Sequence, residues 1–360
     1  MGRAARAIID LSAIRQNFNL AASLASSSQA IAVVKADAYG HGAVRVAKAL
    51  ATQAPAFGVA CIEEALELRA AGIEKPILLL EGFFSADEIP VIAEHNFWTA
   101  IHRLEQVEMI ECAKLSTPIH VWLKMDSGMH RLGVDPKEYR VIYDRIKQCS
   151  GIEQVVLMSH LACADELESE HTHNQVAQFD RAVEGIDAPH SIANSPATLG
   201  WPQLHRDWIR PGLMLYGASP FEVEHSQAEK LAVAMSLCSE IIAIHDVDVG
   251  EAVGYGASFI CDRPTRVGTV AIGYGDGYSR HAPTGTPVFV NGQKSRIIGR
   301  VSMDMCTVDL TGLSNVDVGA HVELWGAQLN VNEVAKYCGT IPYTLFTGVT
   351  RRVPRIYIES

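Results

Sequence analysis

Up to about residue 217 the chain repeats one theme: a short apolar run, a turn, then an amphipathic stretch. The apolar runs fall near 31–34, 57–60, 77–80, 98–101, 119–124, 154–159, 190–193 and 213–216. Helical spacing fills the gaps at 43–52, 62–71, 86–95, 104–114, 137–149 and 174–186. Asp10 or Ser12 suits the cap of a leading helix over 13–22. Parallel strands need a crossover, usually a helix, so this alternation predicts a parallel sheet. Eight strands over about 220 residues is the number that closes a (β/α)8 TIM-type barrel. An open, doubly wound sheet is the structural alternative.

Past about residue 229 the texture changes. Valine- and threonine-rich runs with glycine turns take over at 238–243, 267–272, 287–290, 295–298, 306–310 and 322–325. Asn291-Gly292 between two of these runs predicts a two-residue hairpin. One helix over 331–337 precedes a last strand over 355–358. The expected organisation is a barrel over 1–228 and a C-terminal, mainly β domain over 229–360.

A net charge of −11 argues against nucleic-acid binding, which depends on neutralising phosphates. No apolar stretch approaches the ~20 residues a membrane helix needs. Residues 1–6 are basic, but no apolar core follows before Asp10, so no signal peptide is expected. None of the eight cysteines forms a C-x-x-C pair, so neither a zinc ribbon nor a redox motif is supported and no metal is expected. They read as reduced thiols of a cytoplasmic protein.

In such a barrel reactive groups collect at the carboxyl ends of the strands. Lys35 closes the run Ile31-Ala32-Val33-Val34, so its amine stands at a strand end. Partial desolvation there would lower its pKa and free its lone pair for a carbonyl. A solvated strand-end lysine is the plain alternative. Lys124 ends the fifth run with Arg131 seven residues later; His160 ends the sixth. Asn194 and Ser195 follow the seventh, and Arg210 and Gly212 accompany the last. Ser195 opens a short helical stretch whose Pro196 suits a first turn and whose amides favour an anion. One amine, an anion cradle and several cations suit a phosphorylated carbonyl cofactor.

The stretch Ala32-Val33-Val34-Lys35-Ala36-Asp37-Ala38-Tyr39-Gly40-His41-Gly42 resembles the pyridoxal-phosphate lysine segment of bacterial alanine racemases. The likeness continues through Lys124-Met125-Asp126-Ser127-Gly128-Met129-His130-Arg131, Ala193-Asn194-Ser195 and Arg210-Pro211-Gly212. It crosses into the β half at Gly254-Tyr255-Gly256-Ala257, Gly273-Tyr274-Gly275-Asp276-Gly277 and Ser302-Met303-Asp304, and ends at Arg352-Val353-Pro354-Arg355. Ordered matches over nearly the whole chain are far more specific than any one of them.

The resemblance implies interconversion of L- and D-alanine on pyridoxal 5'-phosphate, for peptidoglycan synthesis or alanine catabolism. It makes Lys35 the cofactor-bearing lysine and one base, and Tyr255 the second base. His160 and Arg210 would form a relay to that tyrosine, with Arg210 at the pyridine nitrogen. Arginine stays protonated and only donates, so the nitrogen would remain unprotonated. Tyr39, Ser195, Gly212 and Leu213 would bind the phosphate, with Asn194 beside them. Arg131 would contact cofactor and substrate carboxylate, oriented by Lys124, a position carbamylated in many relatives. Tyr274 and Met303 would line the substrate pocket. In the family the β domain of one subunit completes the site of the other, which implies a homodimer. Arg351 is a departure, aligned where relatives place a phosphate-binding tyrosine.

The rivals are a barrel-type pyridoxal-phosphate decarboxylase, a racemase of another small amino acid, or a cofactor carrier. A decarboxylase expects an acidic group in place of Arg210, and a carrier expects no β domain. Hydrolase and nucleotide-binding readings lack G-x-S-x-G, H-E-x-x-H and G-x-x-x-x-G-K-[ST].

Overall fold

The computed structural model describes residues 3–359. Met1 and Gly2, the head of the segment weighed as a signal, lie outside the described residues. Eight parallel strands form the barrel: Gln29–Val33, Ala56–Val59, Ile77–Leu79, Phe97–Ile101, Ile119–Lys124, Ile152–Met158, His190–Ser191 and Trp208–Ile209. The first seven pair in sequence, and the eighth pairs back on Gln29 and Ala30. Between the seventh and eighth, Asp207 N–H donates to His190 O at 3.1 Å and Arg210 N–H to Ala193 O at 2.9 Å. The barrel is therefore nearly closed.

Helices wrap it because their buried positions recur at helical spacing, as at Ala43, Val46, Ala47 and Leu50 in Ala43–Leu50. Asp10, rather than Ser12, caps the leading helix Leu11–Leu24, accepting from Ser12 N–H at 2.8 Å and Ala13 N–H at 3.2 Å. Inside the barrel Trp98, Trp122 and Trp208 pack against Ile31, Leu78 and Met158, with Ala56 and Ala100 leaving them room. Trp98 and Trp208 meet at 5.6 Å between ring centroids, and Trp122 and Trp208 at 5.7 Å. This layer plugs the barrel, so free space remains at the carboxyl ends of the strands.

Two elements of the N-terminal half differ from expectation. The run 213–216 is not the eighth strand but a 3-10 helix, Leu213–Tyr216, bounded by Gly212 and by Gly217 at φ 79°. All four of its residues are buried, and an all-round buried 3-10 turn gives the same apolar run as a core strand. The other difference is a strand at Arg6–Asp10, inside the span assigned to the barrel. It pairs antiparallel with Met235–Val247 and parallel with Arg355–Ile358, burying Ala7 and Ile9. The first strand of the described residues thus lies in the β sheet, ahead of the barrel.

The long strand Met235–Val247 organises that sheet, pairing also with Thr265–Val270 and His321–Trp325. Pro287–Val290 and Gln293–Arg296 form the expected hairpin, with Asn291 at φ 46° and Gly292 at φ 78° supplying the two positive-φ positions. Val331–Tyr337 and Arg355–Ile358 form as read, while the helix Pro342–Gly348 was not anticipated. Among the described residues no helix is long and apolar enough to cross a membrane.

Candidate active site

Past the first barrel strand, Val34 leads into a turn of unusual hand. Ala36, Asp37, Ala38 and Tyr39 have φ of 53°, 52°, 52° and 53°, with ψ between 40° and 53°. Four consecutive L-residues in the left-handed region cost roughly 1–2 kcal/mol each, so the surroundings must impose the turn. Ala38 N–H donates to Val34 O at 2.8 Å and Gly42 N–H to Asp37 O at 2.9 Å, closing it internally. His41 Nδ1–H reaches Tyr39 O at 2.9 Å and Ala38 O at 3.1 Å; two carbonyls can only accept, so this nitrogen carries the proton. Arg355 Nε–H donates to Gly40 O at 3.1 Å. Residues four apart share a side of a helical turn, and Lys35 and Tyr39 both line one cavity of about 890 Å³.

That cavity sits at the carboxyl ends of the barrel strands and is strongly cationic. Lys124, Arg131 and Arg210 share it with Lys35, and Glu81 is the one carboxylate among its lining residues. Burial lowers the pKa of Lys35; Glu81 opposes this, and Arg131 reinforces it. Burial, then Arg210, Arg131 and Lys35, lower Lys124 to about 8. Burial pulls Arg210 down to about 10, which still leaves it a cation at neutral pH. His160 falls well below the ordinary imidazole value through burial and the neighbouring Arg210, so its ring is neutral. Such a cavity asks for anionic ligands.

Four of the five Arg210 donors are committed. Nη1 donates to the Ser191 carbonyl at 2.9 Å and to the Ser191 hydroxyl. Nη2 donates to Ser159 O at 2.6 Å and approaches His160 Nδ1 at 3.5 Å. Only Nε–H remains for a ligand. Because a neutral His160 accepts through Nδ1, its proton sits on Nε2.

Ser195, Gly212, Leu213 and Tyr39 line another part of the same cavity. Ser195 Oγ accepts from Gly212 N–H at 2.8 Å, and Leu213 follows at the open start of its 3-10 helix. A Cβ on Gly212 would lie 2.6 Å from the Tyr39 hydroxyl, so only glycine allows that phenol to come so close. Tyr39 stacks on Tyr216 at 4.8 Å and tilts against Tyr343 at 5.8 Å. Asn194 lines the cavity too, while its Oδ1 caps Ser195–Gly200 by accepting from Ala197 N–H at 3.2 Å.

Tyr343 lines the cavity from the C-terminal half of the chain. Arg351 is exposed and does not line the cavity, whereas Tyr343, eight residues earlier, does. It sits in the first turn of Pro342–Gly348, which packs so tightly on the Lys35 turn that a Cβ on Gly40 would meet Phe346 O at 2.3 Å. The signal that was missed is Ile341-Pro342-Tyr343, a proline at a helix start.

Tyr255, Tyr274 and Met303 are not brought to the cavity. They stand on the β half, exposed by 72%, 38% and 52%. Tyr274 and Met303 are neighbours, joined by Tyr274 N–H to Ser302 O at 3.0 Å and Gly275 N–H to Met303 O at 2.8 Å. Within one chain, then, the barrel side of the site is assembled and the β side faces outward.

A (β/α)8 barrel with a strand-end lysine in a cationic cavity, joined to a mainly β domain and carrying Arg210 where a decarboxylase would need an acidic group, fits a barrel-type amino-acid isomerase. Residues 9–220 match the model of the alanine racemase N-terminal domain, and residues 234–357 that of its C-terminal domain. The chain belongs to the alanine racemase family, isomerases that interconvert L- and D-alanine. It is 57% identical to the alanine racemase of Pseudomonas syringae pv. syringae over 358 residues, covering 99% of this chain and 100% of that one. It is 55% identical to the catabolic alanine racemase of Pseudomonas putida, covering 99% of each. The crystal structure of the biosynthetic alanine racemase from Pseudomonas aeruginosa superposes with a TM-score of 0.97 at 48% identity, covering 99% of this chain and 100% of that one.

Proposed function

We propose that the chain racemises alanine on pyridoxal 5'-phosphate held by Lys35, with one proton-transferring group from each of two subunits. The observation that carries this reading is that Lys35, the Arg210–His160 pair and the Tyr39–Gly212 cradle share one cavity. The donor set suits the cofactor: a desolvated amine for the aldehyde, and Tyr39, Tyr343, Ser195, Gly212 and Leu213 for the phosphate. Arg210 Nε–H is left for the ring nitrogen. When bound, the cofactor supplies an electron sink for charge developing at the substrate Cα.

The protein's own groups supply position and protons. Burial favours the neutral form of the Lys35 amine, which lets it accept a proton on one face of the substrate. Tyr255 of a second subunit would serve the opposite face. A free phenol has a pKa of about 10, so it needs a donor to hold its anion. His160 Nε2–H can be that donor, with Arg210 behind it as a fixed cation. Arg131 would hold the substrate carboxylate. A carbamate on Lys124 would place a negative charge among Arg210, Arg131 and Lys35, and its amine, at about 8, is readily freed to form one. Tyr274 and Met303 of the second subunit would close the pocket around a methyl side chain. Their exposure, with that of Tyr255, supports a homodimer, and the charge and composition support a cytoplasmic enzyme. Relatives named biosynthetic and catabolic are both close, so either direction of use fits.

Borohydride reduction followed by peptide mapping is expected to place a pyridoxyl group on Lys35, and the holoenzyme should form D-alanine from L-alanine. A label on another residue, or no D-alanine with cofactor supplied, would sink this reading.

A further inference from the structure

The left-handed turn after Lys35 is held at its carbonyl end by His41 and Arg355. Its amide end is held by a residue with no part in the chemistry above. Glu64, in the first turn of Ile62–Ala70, accepts Ala36 N–H on Oε1 at 2.7 Å and Ala60 N–H on Oε2 at 2.7 Å. Capping of its own helix explains the bond to Ala60, one residue before the cap position. It does not explain the bond to Ala36, which belongs to another βα unit. One carboxylate thus ties the exit of the first barrel strand to the exit of the second. Glu64 does not line the cavity.

We propose that Glu64 is a positioning residue for the Lys35 amine: by bridging Ala36 and Ala60 it keeps the turn left-handed, so that Lys35 and Tyr39 face the cavity together. L-residues revert to right-handed or extended backbone when nothing opposes it. Reversal of the hand would wind the chain away from Val34 in the other direction, moving Tyr39 off Gly212 and parting the amine from the phosphate cradle. The inference rests on the reading of Lys35 as the cofactor-bearing lysine.

The test is equilibrium titration of apoenzyme with pyridoxal 5'-phosphate. Glu64→Gln keeps the shape but turns one acceptor into a donor, and should weaken binding about tenfold. Glycine adopts the left-handed region freely, so adding Ala36→Gly to Glu64→Gln should bring the affinity back to within about threefold of the starting protein. Unchanged affinity in Glu64→Gln overturns the proposal. So does a loss that Ala36→Gly leaves uncorrected, because glycine cannot replace a charge acting on Lys35 or a helix cap. Should Glu64→Gln fail to fold, Ala36→Val strains the same backbone with Glu64 intact and must weaken binding comparably; unaltered affinity there overturns the proposal too. Borohydride mapping of the unsubstituted holoenzyme separates the two failures. A label away from Lys35 removes the parent reading, whereas a label on Lys35 with indifferent variants removes only the role of Glu64.

Discussion

His41 shows how a residue in the lysine segment can matter without touching a ligand. Its ring is fully buried, 4.6 Å from Tyr216 and 4.9 Å edge-on to Phe346 between centroids. Nδ1–H is used on two carbonyls, and Nε2 has no hydrogen-bond partner. A second proton would therefore place a charge on Nε2 against aromatic carbon. Burial accordingly lowers the pKa from 6.5 to about 4; the two carbonyl bonds oppose this, and Arg355 adds to it. Between those values the unfolded chain takes up a proton that the folded chain refuses. The stability contribution is full above pH 6.5 and is lost as pH falls towards 4, to the extent of roughly 3 kcal/mol. Urea midpoints measured from pH 7 to pH 4.5 should fall more steeply for the native protein than for His41→Gln, which cannot titrate. Parallel slopes would show that the carboxylates alone govern acid sensitivity.

At the scale of elements, Leu213–Tyr216 does what a strand in its place could not. A 3-10 helix presents amides at its start, and Gly212 ahead of it leaves space for the Tyr39 hydroxyl. Gly212→Ala should push that phenol aside by several tenths of an ångström and weaken cofactor binding at least tenfold, with little loss of thermal stability. Equal affinity would mean that the cradle does not hold the phosphate. The same element marks where reading the sequence stops working. Seven barrel strands stood out as short apolar runs between turns, and six crossover helices by residues that repeat at helical spacing. Leu213-Met214-Leu215-Tyr216 is apolar on every side and carries no period, so it passed for the eighth strand. The true eighth strand, Trp208–Ile209, is flanked by Asp207 and Arg210 and offers no apolar run. The left-handed turn was invisible for another reason: it is imposed on Ala36-Asp37-Ala38-Tyr39 by Glu64, His41 and Arg355, which lie outside it. Lys35 was placed by the end of its strand, whereas Arg210 was carried by the resemblance, because it precedes the run 213–216 that was read as the last strand. Tyr343 was not legible, since its place depends on how Pro342–Gly348 docks onto the Lys35 turn.

For the whole molecule, the barrel and the β sheet are tied together by the chain's own start. Arg6–Asp10 lies between Met235–Val247 and Arg355–Ile358, and Asp10 then caps the helix that opens the barrel. This arrangement turns Tyr255, Tyr274 and Met303 outward while Lys35 opens into the barrel cavity. If each site takes its second base from the partner, Lys35→Ala and Tyr255→Phe damage different halves of a site. Tyr255→Phe should leave cofactor binding near normal, since the cradle is assembled without Tyr255, yet impair proton removal from L-alanine. Each variant alone should be nearly inactive as a homodimer. Co-expressed, half of the dimers are mixed, and each mixed dimer has one intact site and one with both defects. Activity should then recover to about one quarter of the native level, as two-fold symmetry requires. A site built within a single chain would give no recovery, because every chain in the mixture carries a lesion. Recovery at that level, together with loss of activity on dilution below the dimer's dissociation constant, would place Lys35 and Tyr255 of one working site on different subunits.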